Sequence, residues 1–435
     1  MKRARSIALL VTLSFAASAQ LHAQLQIDPR IAAEISKIKA IDNHAHPVRP
    51  VWSGPPDTQY DALPVDSMEP YTEPLRTRAG SPLDADAWHQ LFGAGPMDQL
   101  KKRRQQLIEQ KRDGYANWVL DQLGIETMLA NRVALGPGLA PPRFLWVPFE
   151  DALMFPLDNH GLASKNSDVK AFFADEDRLR QQYLKESGYS ALPASFAEYL
   201  EKVVDATLQR HKRGGAVAVK FEAAYLRPLD FDDVPLQTAE AVYNRGRNGS
   251  ISDADYKKLQ DHIFRHIAAE AGRLGMAVHL HVAWGAGGYF QIAGTNPLQL
   301  ESSFNDPRLH HTNFVMLHGG WPFTREITAL LTKPNVYADF SAQTLMLYPR
   351  EAARILREWL EFAPDKVLFG TDAYPYSEES GWEQSGWIAT QTTRQALGLA
   401  LTEMMNDGEI TRQRAFEMAH MVLHDNAAKL YGLKK

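Results

Sequence analysis

The chain has 435 residues, 45% of them apolar and 23% charged, with a formal net charge of −5 and no cysteine. Such values describe a globular protein with one large domain or two small ones. The mildly acidic balance leaves no basic excess to neutralise phosphates, which argues against nucleic acid as a partner. Without thiols, disulfides and thiolate-held metals are excluded, and any metal falls to His, Asp, Glu or a modified Lys.

At the N-terminus Lys2, Arg3 and Arg5 precede an apolar run from Ile7 to Ala17, followed by Ala17-Ser18-Ala19. These are the three regions of a secretory signal peptide over residues 1–19, and they predict a periplasmic or secreted mature protein with its domain over 25–435. The apolar run is too short for a permanent membrane span, and no later stretch reaches the needed length.

Ala40-Ile41-Asp42-Asn43-His44-Ala45-His46-Pro47 comes next. It puts two imidazoles at i and i+2 at the end of a predicted strand, so both point to one face and can reach one metal ion. Seven further short apolar segments end in polar residues. Together the eight fall at 38–42, 127–131, 144–147, 216–221, 277–281, 314–318, 336–339 and 367–370. Between most of them lie amphipathic helical patterns, as at 255–273 and 350–362. Strands alternating with helices predict parallel pairing, and eight units predict an α/β fold of the (β/α)₈ TIM-barrel type. An open doubly wound sheet is the competing layout, but no glycine-rich phosphate loop follows any strand.

Two stretches break the rhythm, about 48–99 after the first strand and 150–213 after the third. The first is rich in Pro, Gly and Asp; the second holds helical patterns at 167–185 and 195–211. Both leave from C-terminal strand ends, the barrel face where active sites sit, so they are expected to form a lid or pocket wall.

The polar residues closing the strands carry the chemistry. Ala277-Val278-His279-Leu280-His281 is a second H-x-H after Gly275, a helix-ending glycine; the sixth strand closes on His318 and the eighth reaches Asp372. Groups of this kind are costly to bury unless paired or coordinated, and their recurrence at one rim points to a metal centre. His262 with His266, and His420 with His424, are four apart on predicted helices and belong to the barrel's outside. His310 and His311 precede a strand, on the wrong rim for chemistry. Trp284, Tyr289, Trp321, Tyr374 and Tyr376 follow these strands as pocket candidates, while Arg49, Arg227 and Arg325 are candidates to grip a substrate carboxylate.

With His44, His46, His281, His318 and Asp372 in this order, the chain resembles the amidohydrolase superfamily, in particular its amidohydrolase-related branch with nodulin- and FluG-like domains. Lys220-Phe221-Glu222-Ala223-Ala224-Tyr225, His318-Gly319-Gly320-Trp321-Pro322, Asn335-Val336-Tyr337-Ala338-Asp339 and Asn426-Ala427-Ala428-Lys429-Leu430-Tyr431 are similar to segments of that branch. The resemblance implies a metal-dependent hydrolase. A divalent ion held by imidazoles and a carboxylate, with an open position, lowers the pKa of bound water to about 7.

On this reading His44, His46, His281 and Asp372 are the expected metal ligands. Asp372 also acts as the general base toward water and then as acid toward the leaving group. His318 either binds the metal or polarises the substrate carbonyl. His281 lies nearer the strand's mouth than His279, which supports it from below. The wider superfamily implies that Lys220, if carboxylated, joins the ligands and bridges two ions, with Glu222 as the substitute; one ion is expected rather than two. Zinc suits a His-rich site without Cys.

The expected reaction is cleavage of a C–N or C–O bond in an amide, lactone or ester of a small molecule. The alternatives are a metal-dependent decarboxylase acting on an aromatic or enol acid, and a non-catalytic metal-binding barrel. The expected partner is a small-molecule substrate, with a homo-oligomer left open.

Overall fold

The computed structural model describes residues 26–59, 61, 74–376 and 380–433. The signal peptide expected over 1–19 lies outside these residues. Eight parallel strands run in chain order: β1 (Ala40–Ala45), β2 (Ile125–Asn131), β3 (Phe144–Val147), β4 (Ala218–Phe221), β5 (Ala277–His281), β6 (Phe314–Leu317), β7 (Val336–Asp339) and β8 (Val367–Leu368). They pair as β1-β2-β3 and as β4 to β8. Backbone hydrogen bonds carry the pairing across both junctions. Val217 N–H donates to the Trp146 carbonyl at 3.1 Å and Lys220 N–H to that of Pro148 at 2.8 Å. At the other seam Asn43 N–H donates to Phe369, Asp372 N–H to His44 and His46 N–H to Ala373, each at 2.8 Å. The ring of strands is the (β/α)₈ barrel with insertions after β1 and β3.

Several strand bounds differ from the sequence reading, two of them for a clear local reason. Helix Pro29–Lys37, capped by Asp28, holds the chain as far as Lys37, so β1 begins at Ala40 and not at residue 38. β8 is short because the backbone beyond Leu368 turns to other partners: Phe369 N–H donates to Val422, and Asp372 N–H to His44.

Helices cover the strands on the outside. Asp253–Arg273 starts at Ser252, whose side chain accepts from Asp255 N–H, and ends before Gly275 at φ 66°, a left-handed position that suits glycine. Pro349–Phe362 packs against the 25-residue helix Trp382–Asn406, which the sequence reading did not identify. Inside the barrel Ile41, Leu129, Val147, Ala218, Val315 and Leu368 form an apolar layer, and Ala427 and Ala428 of the C-terminal helix pack against it. β1, β4, β5 and β6 are buried at every position, as expected of parallel strands covered on both faces.

The first insertion carries helices Pro82–Phe92 and Met97–Lys111 before helix Tyr115–Leu123 returns to β2. Residues 60 and 62–73 of it lie outside the described residues. The second carries Ser167–Glu186 and a run of helical turns ending at Arg213.

Candidate metal centre

The seam that closes the barrel builds the site. Between Asp42 and Ala45 the register of β1 against β2 shifts. His44 and His46 then bring their Nε2 atoms to 3.3 Å of each other. Asp372, just past β8, places Oδ1 at 3.2 Å from His44 Nε2 and 3.6 Å from His46 Nε2. From β6, His318 sets Nδ1 3.9 Å from Asp372 Oδ2. Among the described residues, His44, His318 and Asp372 have ligand atoms that all lie within 4.8 Å of one another.

Buried carboxylates hold these side chains in place. Asp42 accepts from the N–H groups of His44 and Thr371 and from the Thr371 hydroxyl, at 3.2, 2.9 and 2.5 Å. Asp339 accepts from Asn43 at 2.7 Å, from His318 N–H at 2.9 Å and from the Ser341 hydroxyl at 2.6 Å. His318 and Asp372 themselves sit at φ 61° and 54°. That left-handed region is uncommon for residues other than glycine, though Asn, Asp and His enter it most readily. Such strain persists where the surroundings over-determine it, and here both backbones are anchored on a neighbouring strand.

Proton positions follow from the hydrogen bonds. Burial raises the Asp339 pKa to about 6, so at neutral pH it is a carboxylate that can only accept. The Ser341 hydroxyl therefore donates to Asp339, and its oxygen accepts from His318 Nδ1 at 2.9 Å. This tautomer leaves His318 Nε2 without a proton, which suits a cation ligand better than a donor to a substrate carbonyl. His46 Nδ1 meets Asp61 Oδ2 at 3.1 Å, which frees its Nε2 lone pair in the same way.

Burial holds the His44 and His318 pKa values well below the usual imidazole range. His281 is pushed down to about 3, by burial and then by the Lys220 charge. These rings are neutral and ready to coordinate. For His46 burial works in the same direction, but Asp61 and Asp372 outweigh it and the pKa is raised.

The donor set fits a divalent cation. Two ligands each about 2.1 Å from a tetrahedral ion stand roughly 3.4 Å apart, and the Nε2–Nε2 and Nε2–Oδ1 separations here bracket that value. The absence of thiolates leaves imidazole and carboxylate, a set suited to zinc and other first-row ions.

His281 lines the same cavity as His46, His318 and Asp372. His281 lies beside His318, ring centroids 4.7 Å apart, with Nε2 3.0 Å from the Ala283 carbonyl. His279 is inside the barrel, with Nε2 2.7 Å from the Tyr431 hydroxyl, which in turn donates to Asn43. Lys220 is fully buried; its Nζ donates to Glu222 at 3.0 Å and Asn131 at 3.2 Å. On the outside, His266 pairs with Asp205 at 2.7 Å and His420 with Glu34 at 3.0 Å.

A cavity of about 100 Å³ opens over the centre, lined among others by Asp61, Glu222, Tyr225, Trp284, Tyr374 and Tyr376. Asp61, Pro74 and Thr77 bring the first insertion into its wall. The second insertion reaches this wall only indirectly, through Phe172 packed on Tyr225. No Lys or Arg lines the cavity among the described residues, and residues 60, 62–73 and 377–379 contain neither type.

The expected arginine grips are therefore corrected. Arg227 is bound to Asp261 at 2.7 Å, Arg325 is largely exposed and Arg49 packs beside Gly136. Asp61 and Ser341 were missed. Asp61 is one acid in an irregular insertion, with no spacing to single it out, whereas Ser341 follows a strand-ending Asp by two residues and could have been found.

A parallel barrel with imidazoles and a carboxylate at its C-terminal rim defines a class of metal-dependent enzymes. The amidohydrolase family model matches residues 158–433, and the chain belongs to this family of metal-dependent hydrolases. β1 lies outside the matched residues, so His44 and His46 join the site through the seam alone. FluG of Emericella nidulans is 28% identical over 186 residues, which are 41% of this chain and 20% of FluG. The chain thus matches about a fifth of FluG's length.

Solved structures share the fold at low identity. A candidate metal-dependent hydrolase from Lactobacillus casei has a TM-score of 0.60 at 16% identity, covering 94% of this chain and all of that one. Glucuronate isomerase from Caulobacter crescentus has a TM-score of 0.62 at 13% identity, covering 93% and 94%. Uronate isomerase from Thermotoga maritima has a TM-score of 0.56 at 13% identity, covering 93% and 98%.

Proposed function

We propose that the chain is a metal-dependent hydrolase that cleaves a C–N or C–O bond of an uncharged small molecule, an amide, lactone or ester. The observation that carries this reading is the convergence of His44 Nε2, His46 Nε2 and Asp372 Oδ1 beneath a cavity without cationic side chains. His44, His46, Asp372 and His318, with His281 beside His318, would hold one divalent ion, with zinc the ion of choice. When bound, the ion supplies Lewis acidity that polarises a substrate oxygen and lowers the pKa of water to about 7.

The chain's own groups do the proton work. Asp372 turns Oδ1 toward the two imidazoles and Oδ2 toward His318, so one oxygen is left to take the proton of the attacking water. The same carboxyl then returns that proton to the departing nitrogen or oxygen. Trp284, Tyr374 and Tyr376 line the cavity and narrow its contact with bulk water. The leader-like N-terminus supports work in the periplasm or outside the cell.

A carboxylate-bearing substrate is disfavoured. Asp61, Glu222 and Asp372 line the cavity, no Lys or Arg is among its described lining residues, and Glu222 engages the buried Lys220. This weighs against decarboxylation of an aromatic or enol acid and against a uronate-type substrate. Elemental analysis of the purified protein, followed by a screen of amides, lactones and esters against aromatic acids, tests the reading. Stoichiometric metal with turnover of the uncharged set is expected; carbon dioxide release from the acids, or a folded protein that takes up no metal, would overturn it.

A further inference from the structure

A second cavity adjoins the first and shares Tyr225 with it. Its volume is about 330 Å³, against about 100 Å³ over the metal centre. The smaller space accommodates a scissile group and little more. The Tyr225 ring packs 4.8 Å from His281, 5.4 Å from Phe172 and 5.1 Å from Phe290. A β-carbon placed on Gly285 would come within 2.6 Å of Phe290 and 2.7 Å of Tyr225. The partition is thus two aromatic rings, Tyr225 and Phe290, wedged against bare backbone.

We infer that this second cavity is a subsite of the same active site, and that it takes an uncharged apolar or aromatic substituent attached to the hydrolysed group. The inference rests on the hydrolase reading. The subsite's inner wall is apolar: Phe155, Leu162, Phe172, Leu226 and Phe290. The charged groups at its margin are already engaged. Arg227 and Lys257 both pair with Asp261 at 2.7 Å, Lys165 with Asp253 at 2.7 Å, and Asp168 accepts from Tyr289 N–H at 3.0 Å. A charged ligand would have to break one of these pairs, whereas a phenyl or alkyl group leaves them intact and removes apolar surface from water.

The segment from Trp284 to Gln291 spans both cavities, with Trp284, Gly285 and Ala286 facing the first and Tyr289, Phe290 and Gln291 facing the second. Gly287 within it adopts φ 111°, a conformation that L side chains rarely reach. Rotation of Tyr225 away from Gly285 would join the two spaces into one slot.

The test compares two hydroxamates that differ only in their tails, acetohydroxamate and 4-phenylbutyrohydroxamate, titrated calorimetrically into the zinc-loaded protein. The phenyl compound is expected to bind at least about tenfold tighter. Filling the subsite by Val169→Trp, or by Leu162→Trp should the first variant fail to fold, is expected to bring the ratio of the two affinities close to one. Equal affinities in the unaltered protein, or a difference that survives both substitutions, overturn the subsite and leave the hydrolase reading standing. If neither compound binds, the metal-centre reading fails and the subsite with it.

Discussion

The barrel contains two H-x-H pairs on inward-facing strands, and they do different things. In β5 the register against β4 and β6 is unbroken. His279 and His281 are spaced along the strand, one reaching Tyr431 and the other the Ala283 carbonyl. In β1 the register slips between Asp42 and Ala45, and the two Nε2 atoms meet at 3.3 Å with Asp372 beside them. Spacing alone does not bring two imidazoles together. The local break in pairing brings the β1 rings together, and Asp61 stands behind that of His46.

The sharpest way to break the contrast is at the carboxylate the β1 pair shares. Asp372→Asn is expected to lower kcat by about 10³-fold or more while bound metal stays near stoichiometric; full activity in that variant ends the assigned role. Next, His46→Ala is expected to lose the metal, and His279→Ala to keep it at a cost of about 1–3 kcal/mol in stability from the stranded Tyr431 contact. Elemental analysis paired with thermal melts reads both, and metal loss in the β5 variant would erase the distinction.

A smaller effect is expected from the supports. Asp61→Asn and Ser341→Ala should each weaken metal affinity by about 10–100-fold, measured by competition with a chelator. Unchanged affinity in both would mean that the rings need no support.

The smallest effect concerns pH. Because the folded pKa of His46 is raised, its protonated form stabilises the metal-free protein below the unfolded value of about 6.5, and this contribution is lost as pH rises through the folded value. Metal competes for the same nitrogen, so affinity should fall as pH drops through the folded pKa. Asp61→Asn should move that midpoint to lower pH; a midpoint that does not move would separate Asp61 from the titration.

Much of the architecture was legible because the evidence for it is periodic. The segments β3, β5 and β7 follow directly from runs such as Phe144-Leu145-Trp146-Val147, and Gly275 marks the helix end before β5. The rim residues were legible as polar endings to apolar strands. What stayed hidden depends on contacts between distant parts of the chain. Asp61 acquires meaning only where the first insertion folds back on His46, and the tautomer of His318 only where β7 brings Ser341 and Asp339 against β6. Arg227 failed for the converse reason, since a cation near a strand end is free to grip substrate only if no acid reaches it first, and Asp261 reaches Arg227.

The seam between β8 and β1 also makes the metal a timekeeper. His44 is made early in synthesis and Asp372 late, and the bonds Asn43 to Phe369 and Asp372 to His44 form only when the two ends of the barrel meet. A nascent chain that has not yet released its eighth strand therefore lacks the Asp372 carboxylate of the candidate centre. Ribosome-bound chains stopped before residue 370 should take up no stoichiometric zinc, while chains extended past helix Trp382–Asn406 should; tight binding by the shorter chains would disprove this ordering.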